Sequence, residues 1–142
     1  MPPPSPPPGA APGRPLRVLI ADDSRDFREA LRAFLETLPG VEVVGSVADG
    51  VAAVAAARRT CPDVVLLDLA MPILGGRDAA RHIRATEHPP RVFLLSIRGD
   101  AELRQAVLET KADGFLNKCE VARCLPALLA PELGGGYGLG RR

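Results

Sequence analysis

Short aliphatic runs alternate along the chain with segments in which apolar residues recur at helical spacing. This alternation is typical of a parallel sheet with crossover helices, so the pattern predicts an α/β fold. The run Val64–Asp68 is apolar until its last residue, which predicts a central strand covered on both faces. The five predicted strands are Leu16–Ala21, Val41–Val47, Val64–Asp68, Arg91–Ser96 and Gly114–Asn117.

Helical spacing and breaking residues set the predicted helices between these strands. Ser24 is suited to cap the first helix, whose apolar residues form one stripe from Phe27 to Leu38 and which Pro39-Gly40 ends. Pro126 lies inside the last helical pattern and is expected to kink or shorten that helix. The later predicted helices are Gly50 to about Arg59, Gly76–Thr86, Asp100–Thr110 and Val121–Leu129.

Both ends of the chain are poor in residues that could be buried. Residues 1–15 are Pro-rich and favour extended, disordered conformers, and residues 131–142 form a Gly-rich, flexible tail. We therefore predict one domain over residues 16–130, with a disordered tail before it and a flexible tail after it.

Composition narrows the class of protein. The net charge of +1 provides no field that would attract nucleic acid, and no apolar run approaches the roughly 18 residues needed to span a bilayer. The three cysteines lack a CxxC spacing, and the chain has no secretory apolar region, so we expect reduced thiols in a cytoplasmic protein.

Polar residues follow four of the predicted strands at their carboxyl ends. In an open parallel sheet these ends border one crevice, where function is expected. The candidate site residues are Asp22 and Asp23 after the first strand, Asp68 at the end of the third, Ser96 at the end of the fourth and Lys118 after the fifth.

These residue types converge on phosphoryl transfer to a carboxylate. Three carboxylates approach closely only around a cation, and Mg²⁺ suits Asp23 and Asp68 as direct ligands with Asp22 acting through water. A carboxylate serves as nucleophile when arriving phosphoryl charge is neutralised, here by Mg²⁺ and Lys118, and the Ser96 hydroxyl would donate to a phosphoryl oxygen. Taken singly, the aspartates also suit helix capping or a turn, and Lys118 suits an ordinary surface position.

Four motifs carry a family resemblance over Leu16–Leu129: IADDS at 20–24, VVLLDLAMP at 64–72 with Gly76 following, FLLS at 93–96 and ADGFLNK at 112–118. In order and spacing they resemble the receiver domain of two-component response regulators. The resemblance implies a flavodoxin-like (βα)5 fold, a doubly wound five-stranded parallel sheet of order 2-1-3-4-5.

The resemblance also implies roles for these residues. Asp68 would be the phosphoacceptor, phosphorylated by a sensor histidine kinase or a phosphotransfer protein. The Mg²⁺ ligands would be Asp22, Asp23, Asp68 and the backbone carbonyl of Ala70. Like family members, the chain would catalyse only its own phosphoryl transfer and autodephosphorylation.

Output in the resembling family depends on a switch. Ser96 and Lys118 form the signalling pair, and Phe115 occupies the position of the aromatic switch. We expect a downstream protein effector, or a homodimer, to bind the face of the fourth helix, fifth strand and fifth helix. That face would include Arg98, Arg104, Phe115 and Arg123.

Several positions depart from the family pattern. Ile97 is bulky where a small residue is favoured, which would obstruct access to Asp68. Ala70 and Arg98 offer no carboxylate or amide to orient water, so we expect slow autodephosphorylation. Gly75, Lys111 and Cys119 also depart, without removing a chemical group.

Other functions compete with this interpretation. A haloacid-dehalogenase-like phosphatase would need a second Asp at position 70, which is Ala70, and a flavodoxin would need a less acidic first turn than DDSRDF. The chain could also be the receiver portion of a helix-turn-helix DNA-binding regulator, since its motifs look closest to receivers that usually precede such a domain. A receiver that no longer responds to phosphate and acts as a binding module is the third alternative, motivated by Ile97.

Overall fold

The computed structural model describes residues 14–97 and 100–133. Five parallel strands form one sheet of order β2-β1-β3-β4-β5, which confirms the flavodoxin-like prediction. The strands have the predicted bounds: β1 Leu16–Ala21, β2 Val41–Val47, β3 Val64–Asp68, β4 Arg91–Ser96 and β5 Gly114–Asn117.

Five helices connect and follow the strands. They are α1 Arg25–Glu36, α2 Gly50–Thr60, α3 Gly76–Arg84, α4 Asp100–Thr110 and α5 Val121–Leu129, with 3-10 turns at Lys118–Glu120 and Ala130–Leu133. Ser24 caps α1 as predicted, its side chain accepting a hydrogen bond from the Phe27 amide. The last helix keeps its predicted bounds although Pro126 lies within it.

Helix α3 is shorter than the sequence predicts. It ends at Arg84 rather than Thr86, with Ala85 as its C-cap. The Thr86 hydroxyl donates to the Ile83 carbonyl at 3.0 Å, which satisfies one of the carbonyls exposed at the helix end. The prediction missed this because a side-chain bond to the last turn has no signature in hydrophobic spacing.

The core has two layers, one on each face of the sheet. Buried residues of β1 and β3 alternate between them: Leu19 and Val65 pack with α2, α3 and α4, whereas Ile20 and Leu66 pack with α1 and α5. All of β3 is buried, as predicted for the central strand. This double covering leaves the carboxyl ends of the strands as the open edge of the sheet.

The structure describes only part of the chain on which the predicted domain limits depend. Residues 1–13 and 134–142, which carry most of the two predicted tails, lie outside the described residues, as do Arg98 and Gly99. At the carboxyl end, Leu133 of the second 3-10 turn packs against the core beside α1 and α5. Within the described ranges, no helix has the length and apolar character to cross a membrane.

Candidate functional site

The carboxyl edge of the sheet gathers three aspartates. One carboxylate oxygen from each of Asp22, Asp23 and Asp68 lies within 4.8 Å of the other two. Asp22 and Asp68 are buried, whereas Asp23 is exposed. Asp23 and Asp68 border an open cavity of about 580 Å³ that Ala70, Ser96 and Lys118 also help to line. The structure therefore brings together the acidic and basic residues expected from the strand ends.

The turn between β1 and α1 fixes the Asp22 side chain. Its Oδ1 accepts a hydrogen bond from the Ser24 amide at 2.8 Å. The Arg28 guanidinium donates to the Asp22 backbone carbonyl at 2.8 Å and ties the first turn of the helix to the same residue. Asp22 is thus held in place by backbone and side-chain bonds, and Asp23 is left facing the cavity.

Lys118 provides the positive charge of the site. It begins the 3-10 turn after β5, and its Nζ lies 2.5 Å from Asp22 Oδ2 and 3.3 Å from Asp68 Oδ1. Its side chain is only 12% exposed. Asp22 Oδ2 is buried without a hydrogen bond of good geometry. The nearby positive charge of the Lys118 ammonium therefore offsets the cost of burying this charged oxygen.

The environment makes Asp68 a weaker acid than usual. Burial, and next the negative charge of Asp22, raise the pKa of Asp68 from 3.8 to about 6. Lys118 and the Ala70 amide, which donates to Asp68 Oδ1 at 3.4 Å, act in the opposite direction without cancelling the rise. A further positive charge would therefore be bound favourably beside the ionised Asp68.

The donor set fits a Mg²⁺ ion. Mg²⁺ takes oxygen ligands in octahedral geometry at about 2.0–2.1 Å, so its opposite ligands are about 4 Å apart. Three carboxylate oxygens within 4.8 Å of one another match this spacing when one of them acts through water. Asp22 Oδ2 is buried and has no hydrogen-bond partner among the described residues, as expected of an oxygen that faces positive charge.

Gly76 allows the loop after β3 to close against Asp68. A Cβ atom at this position would lie 2.3 Å from the Asp68 carbonyl oxygen and 2.6 Å from Leu69 Cα. The Gly76 amide donates to the Leu69 carbonyl at 3.0 Å. Only glycine therefore permits the backbone at position 76 to pack this closely against the backbone of Asp68 and Leu69.

The two predicted switch residues lie on neighbouring strands, where Phe115 pairs with Leu94 and Ser96 with Asn117, but they line different cavities. Ser96 is buried and lines the acidic cavity, whereas Phe115 is half-buried on β5 and lines a separate cavity with Asp100 and Leu128. Ile97 borders the acidic cavity but is 73% exposed, so most of its side chain faces solvent rather than filling the cavity.

Sequence reasoning missed Phe27 as a site residue. Its spacing predicts only a place on the apolar stripe of α1, yet its ring lines the acidic cavity, with the ring centroid 4.7 Å from Lys118 Nζ. The available signal was its spacing: Phe27 follows Asp23 by four residues, about one helical turn, at the end of α1 nearest the carboxyl edge of the sheet.

The sheet is doubly wound with order 2-1-3-4-5, and three aspartates and a lysine lie at its carboxyl edge. These features place the chain in the class of flavodoxin-like domains that have an acidic site at this edge. The chain belongs to the response regulator receiver domain family, whose model matches residues 18–130. The resemblance inferred from the four motifs is thereby confirmed.

Solved structures agree with this assignment. The receiver domain of the putative response regulator NarL from Mycobacterium tuberculosis superposes with a TM-score of 0.75 at 34% identity, covering 85% of this chain and 98% of that one. The response regulator domain of Thermotoga maritima CheB gives a TM-score of 0.72 at 32% identity, covering 84% and 94% respectively.

Curated relatives are longer than this chain. A protein-glutamate methylesterase/protein-glutamine glutaminase of Myxococcus xanthus is 39% identical over 119 residues, which are 83% of this chain and 32% of the relative. The response regulator UvrY of Escherichia coli is 34% identical over 103 residues, 72% of this chain and 47% of the relative. The chain thus spans less than half the length of these relatives.

Proposed function

We propose that the chain accepts a phosphoryl group on Asp68 in a Mg²⁺-dependent reaction, from a sensor histidine kinase or a phosphotransfer protein. The observation that carries the proposal is the position of Asp68 Oδ1, 3.3 Å from the Lys118 ammonium inside a cluster of three carboxylates. A nucleophilic carboxylate beside a fixed positive charge is the arrangement that phosphoryl transfer to an aspartate requires.

In the proposed reaction an Asp68 carboxylate oxygen forms a bond to phosphorus while the bond from phosphorus to the donor's imidazole nitrogen breaks. The leaving nitrogen takes up a proton, and the product is an aspartyl phosphate. Mg²⁺, held by Asp22, Asp23, Asp68 and the Ala70 carbonyl, would neutralise charge on the phosphoryl oxygens. Lys118 pairs with one of those oxygens, and the Ser96 hydroxyl donates to another.

We propose a long-lived phosphoryl group. Ala70 lines the cavity and offers no carboxylate or amide to orient an attacking water, and Arg98, at the second such position of the sequence, offers neither group. A phosphoryl lifetime of only seconds in Mg²⁺ would contradict this proposal.

For output we propose protein contact in the cytoplasm through the surface of α4, β5 and α5, with an effector or a second copy of the chain as partner. Arg104 and Arg123 are exposed on this surface and Phe115 is half-buried there. The domain itself is proposed to bind neither nucleic acid nor membrane and to catalyse no reaction beyond its own phosphorylation and dephosphorylation.

A second candidate is the receiver portion of a DNA-binding transcriptional regulator. The similarity to a probable transcriptional regulatory protein NarL of Mycobacterium tuberculosis supports it, with 38% identity over 103 residues that make up 48% of that protein. A receiver that binds partners without responding to phosphate is a third candidate, and the exposed side chain of Ile97 at the cavity argues against a blocked site.

Beryllofluoride, which mimics an aspartyl phosphate, tests the proposal without a kinase. We expect ¹⁹F NMR to show binding to the parent protein only with Mg²⁺, and none to Asp68→Asn. No binding by a folded parent would favour the phosphate-unresponsive candidate, and equal binding by Asp68→Asn would place the acceptor elsewhere.

A further inference from the structure

The Lys118 ammonium has an aromatic neighbour as well as acidic ones. Its Nζ lies 4.7 Å from the centroid of the Phe27 ring, on the first turn of α1. Asp22 Oδ2 and Asp68 Oδ1 lie 2.5 Å and 3.3 Å from the same nitrogen. The ammonium is therefore close to two carboxylates and one aromatic ring, and the side chain as a whole is 12% exposed.

A ring face at this distance attracts a cation through its quadrupole, and the attraction grows when water is excluded. Lysine has a flexible four-carbon stem, so its charge occupies one place only when its surroundings restrict it. The two carboxylates attract the Lys118 ammonium, and the Phe27 ring limits the positions open to it.

The Phe27 backbone is held by the turn that fixes Asp22, and its side chain packs against the core layer of α1 and α5. The Phe27 amide donates to Ser24 Oγ at 3.2 Å, and the Ser24 amide donates to Asp22 Oδ1 at 2.8 Å. The first turn of α1 therefore sets the position of a carboxylate and of an aromatic ring that both contact Lys118.

We propose that Phe27 is a positioning residue, which holds the Lys118 ammonium beside Asp68 through a cation–π contact. The proposal rests on the proposed phosphoryl transfer, in which that ammonium neutralises a phosphoryl oxygen. The competing role is simple packing, because Phe27 also borders the core layer formed with α1 and α5.

The first test needs no phosphorylation. A ring face above the ammonium shifts the Lys118 ε-methylene protons upfield in NMR spectra. We expect that shift in the parent protein, its loss in Phe27→Leu and its retention in Phe27→Tyr, which keeps the ring face. Phe34→Leu is the matched control, since Phe34 is a half-buried phenylalanine of the same helix that does not line the cavity. Unshifted protons in the parent would overturn the proposal.

The second test measures the rate of labelling by acetyl phosphate in Mg²⁺. From the strength of cation–π contacts, we expect Phe27→Leu to slow labelling by about 2- to 30-fold, with Phe27→Tyr close to the parent and Phe34→Leu unchanged. In a Lys118→Met background the same Phe27→Leu change should have no further effect, since Phe27 acts through Lys118.

Two outcomes would overturn the positioning role: an equal loss in Phe27→Tyr, or an undiminished effect of Phe27→Leu in the Lys118→Met background. If the folded parent takes no label, the proposed phosphoryl transfer fails, and the NMR shift alone then decides whether Phe27 positions the ammonium. The failure of each proposal is thus distinguishable.

Discussion

Replacing Asp68 by asparagine is expected to stabilise the metal-free protein at neutral pH. Burial and the charge of Asp22 raise the pKa of Asp68 to about 6, so the folded state holds a proton that the unfolded chain releases near 3.8. The folded state binds more protons than the unfolded state between these values, and the free energy of unfolding therefore falls as pH rises through that window. Asparagine keeps the shape of the side chain and never ionises.

The magnitude follows from the size of the shift. At about 1.4 kcal/mol per pKa unit, the ionised Asp68 destabilises the folded state by about 3 kcal/mol above pH 7. The side chain is only 5% exposed, so screening by solvent reduces this value little. By the same linkage, the advantage of Asp68→Asn over the parent should grow by about 1.4 kcal/mol between about pH 5 and about pH 7.5.

Urea unfolding followed by circular dichroism in EDTA, at these two pH values, measures the effect. Asp78→Asn is the matched control, because the Asp78 side chain is 61% exposed and its change should be small at both pH values. A parent protein as stable as Asp68→Asn at the higher pH, or an advantage that does not depend on pH, would refute the assigned charge state of the site.

Three further outcomes are expected. Mg²⁺ at ten times its dissociation constant should raise the free energy of unfolding of the parent by about 1.4 kcal/mol, which thermal melts would show as a higher melting temperature. The melting temperature of Asp23→Asn should rise much less. Equal rises in the two proteins would show that Asp23 does not bind the metal. Gly76→Ala should destabilise the protein by about 2 kcal/mol or more in urea unfolding, because its Cβ would meet the Asp68 backbone at 2.3 Å. Gly75→Ala, with open space around its Cβ, should cost less, about 1 kcal/mol at most, since alanine is a poorer N-cap of α3 than glycine. Lys111, directly after α4, has a left-handed φ of 61°, a conformation that glycine adopts without strain. In urea unfolding, Lys111→Gly should therefore stabilise the protein by about 0.5–1 kcal/mol, and Lys111→Ala should not. A gain in stability for both variants would exclude backbone strain as the cause.

The fold could be predicted from the sequence because the strands are short, mainly aliphatic segments, separated by stretches with helical spacing and by turn or breaking residues. The strand bounds and most helix bounds agree with the structure, and the double covering of Val64–Asp68 follows from its lack of alternation. The end of α3 was predicted two residues too late, since the Thr86 hydroxyl bond that accompanies it depends on local geometry.

The acidic site could be predicted for a related reason: parallel strands place their carboxyl ends at one edge, so Asp22, Asp68 and Lys118 had to lie near one another. The proposed role of Phe27 could not be predicted, because an aromatic residue on the apolar stripe of a helix has the same spacing in the sequence whether it packs in the core or over a cation. The raised pKa of Asp68 likewise depends on burial and on the charge of Asp22, which only the folded structure supplies.

The central claim is that Asp68 accepts a phosphoryl group with the help of Mg²⁺. Its most direct test is mass spectrometry of the intact protein and its peptides after incubation with acetyl phosphate, with Mg²⁺ or with EDTA. The account predicts one phosphoryl group on the peptide that contains Asp68, formed only with Mg²⁺ and absent from Asp68→Asn. A folded parent that gains no phosphoryl group, or a group that persists in Asp68→Asn, would contradict it.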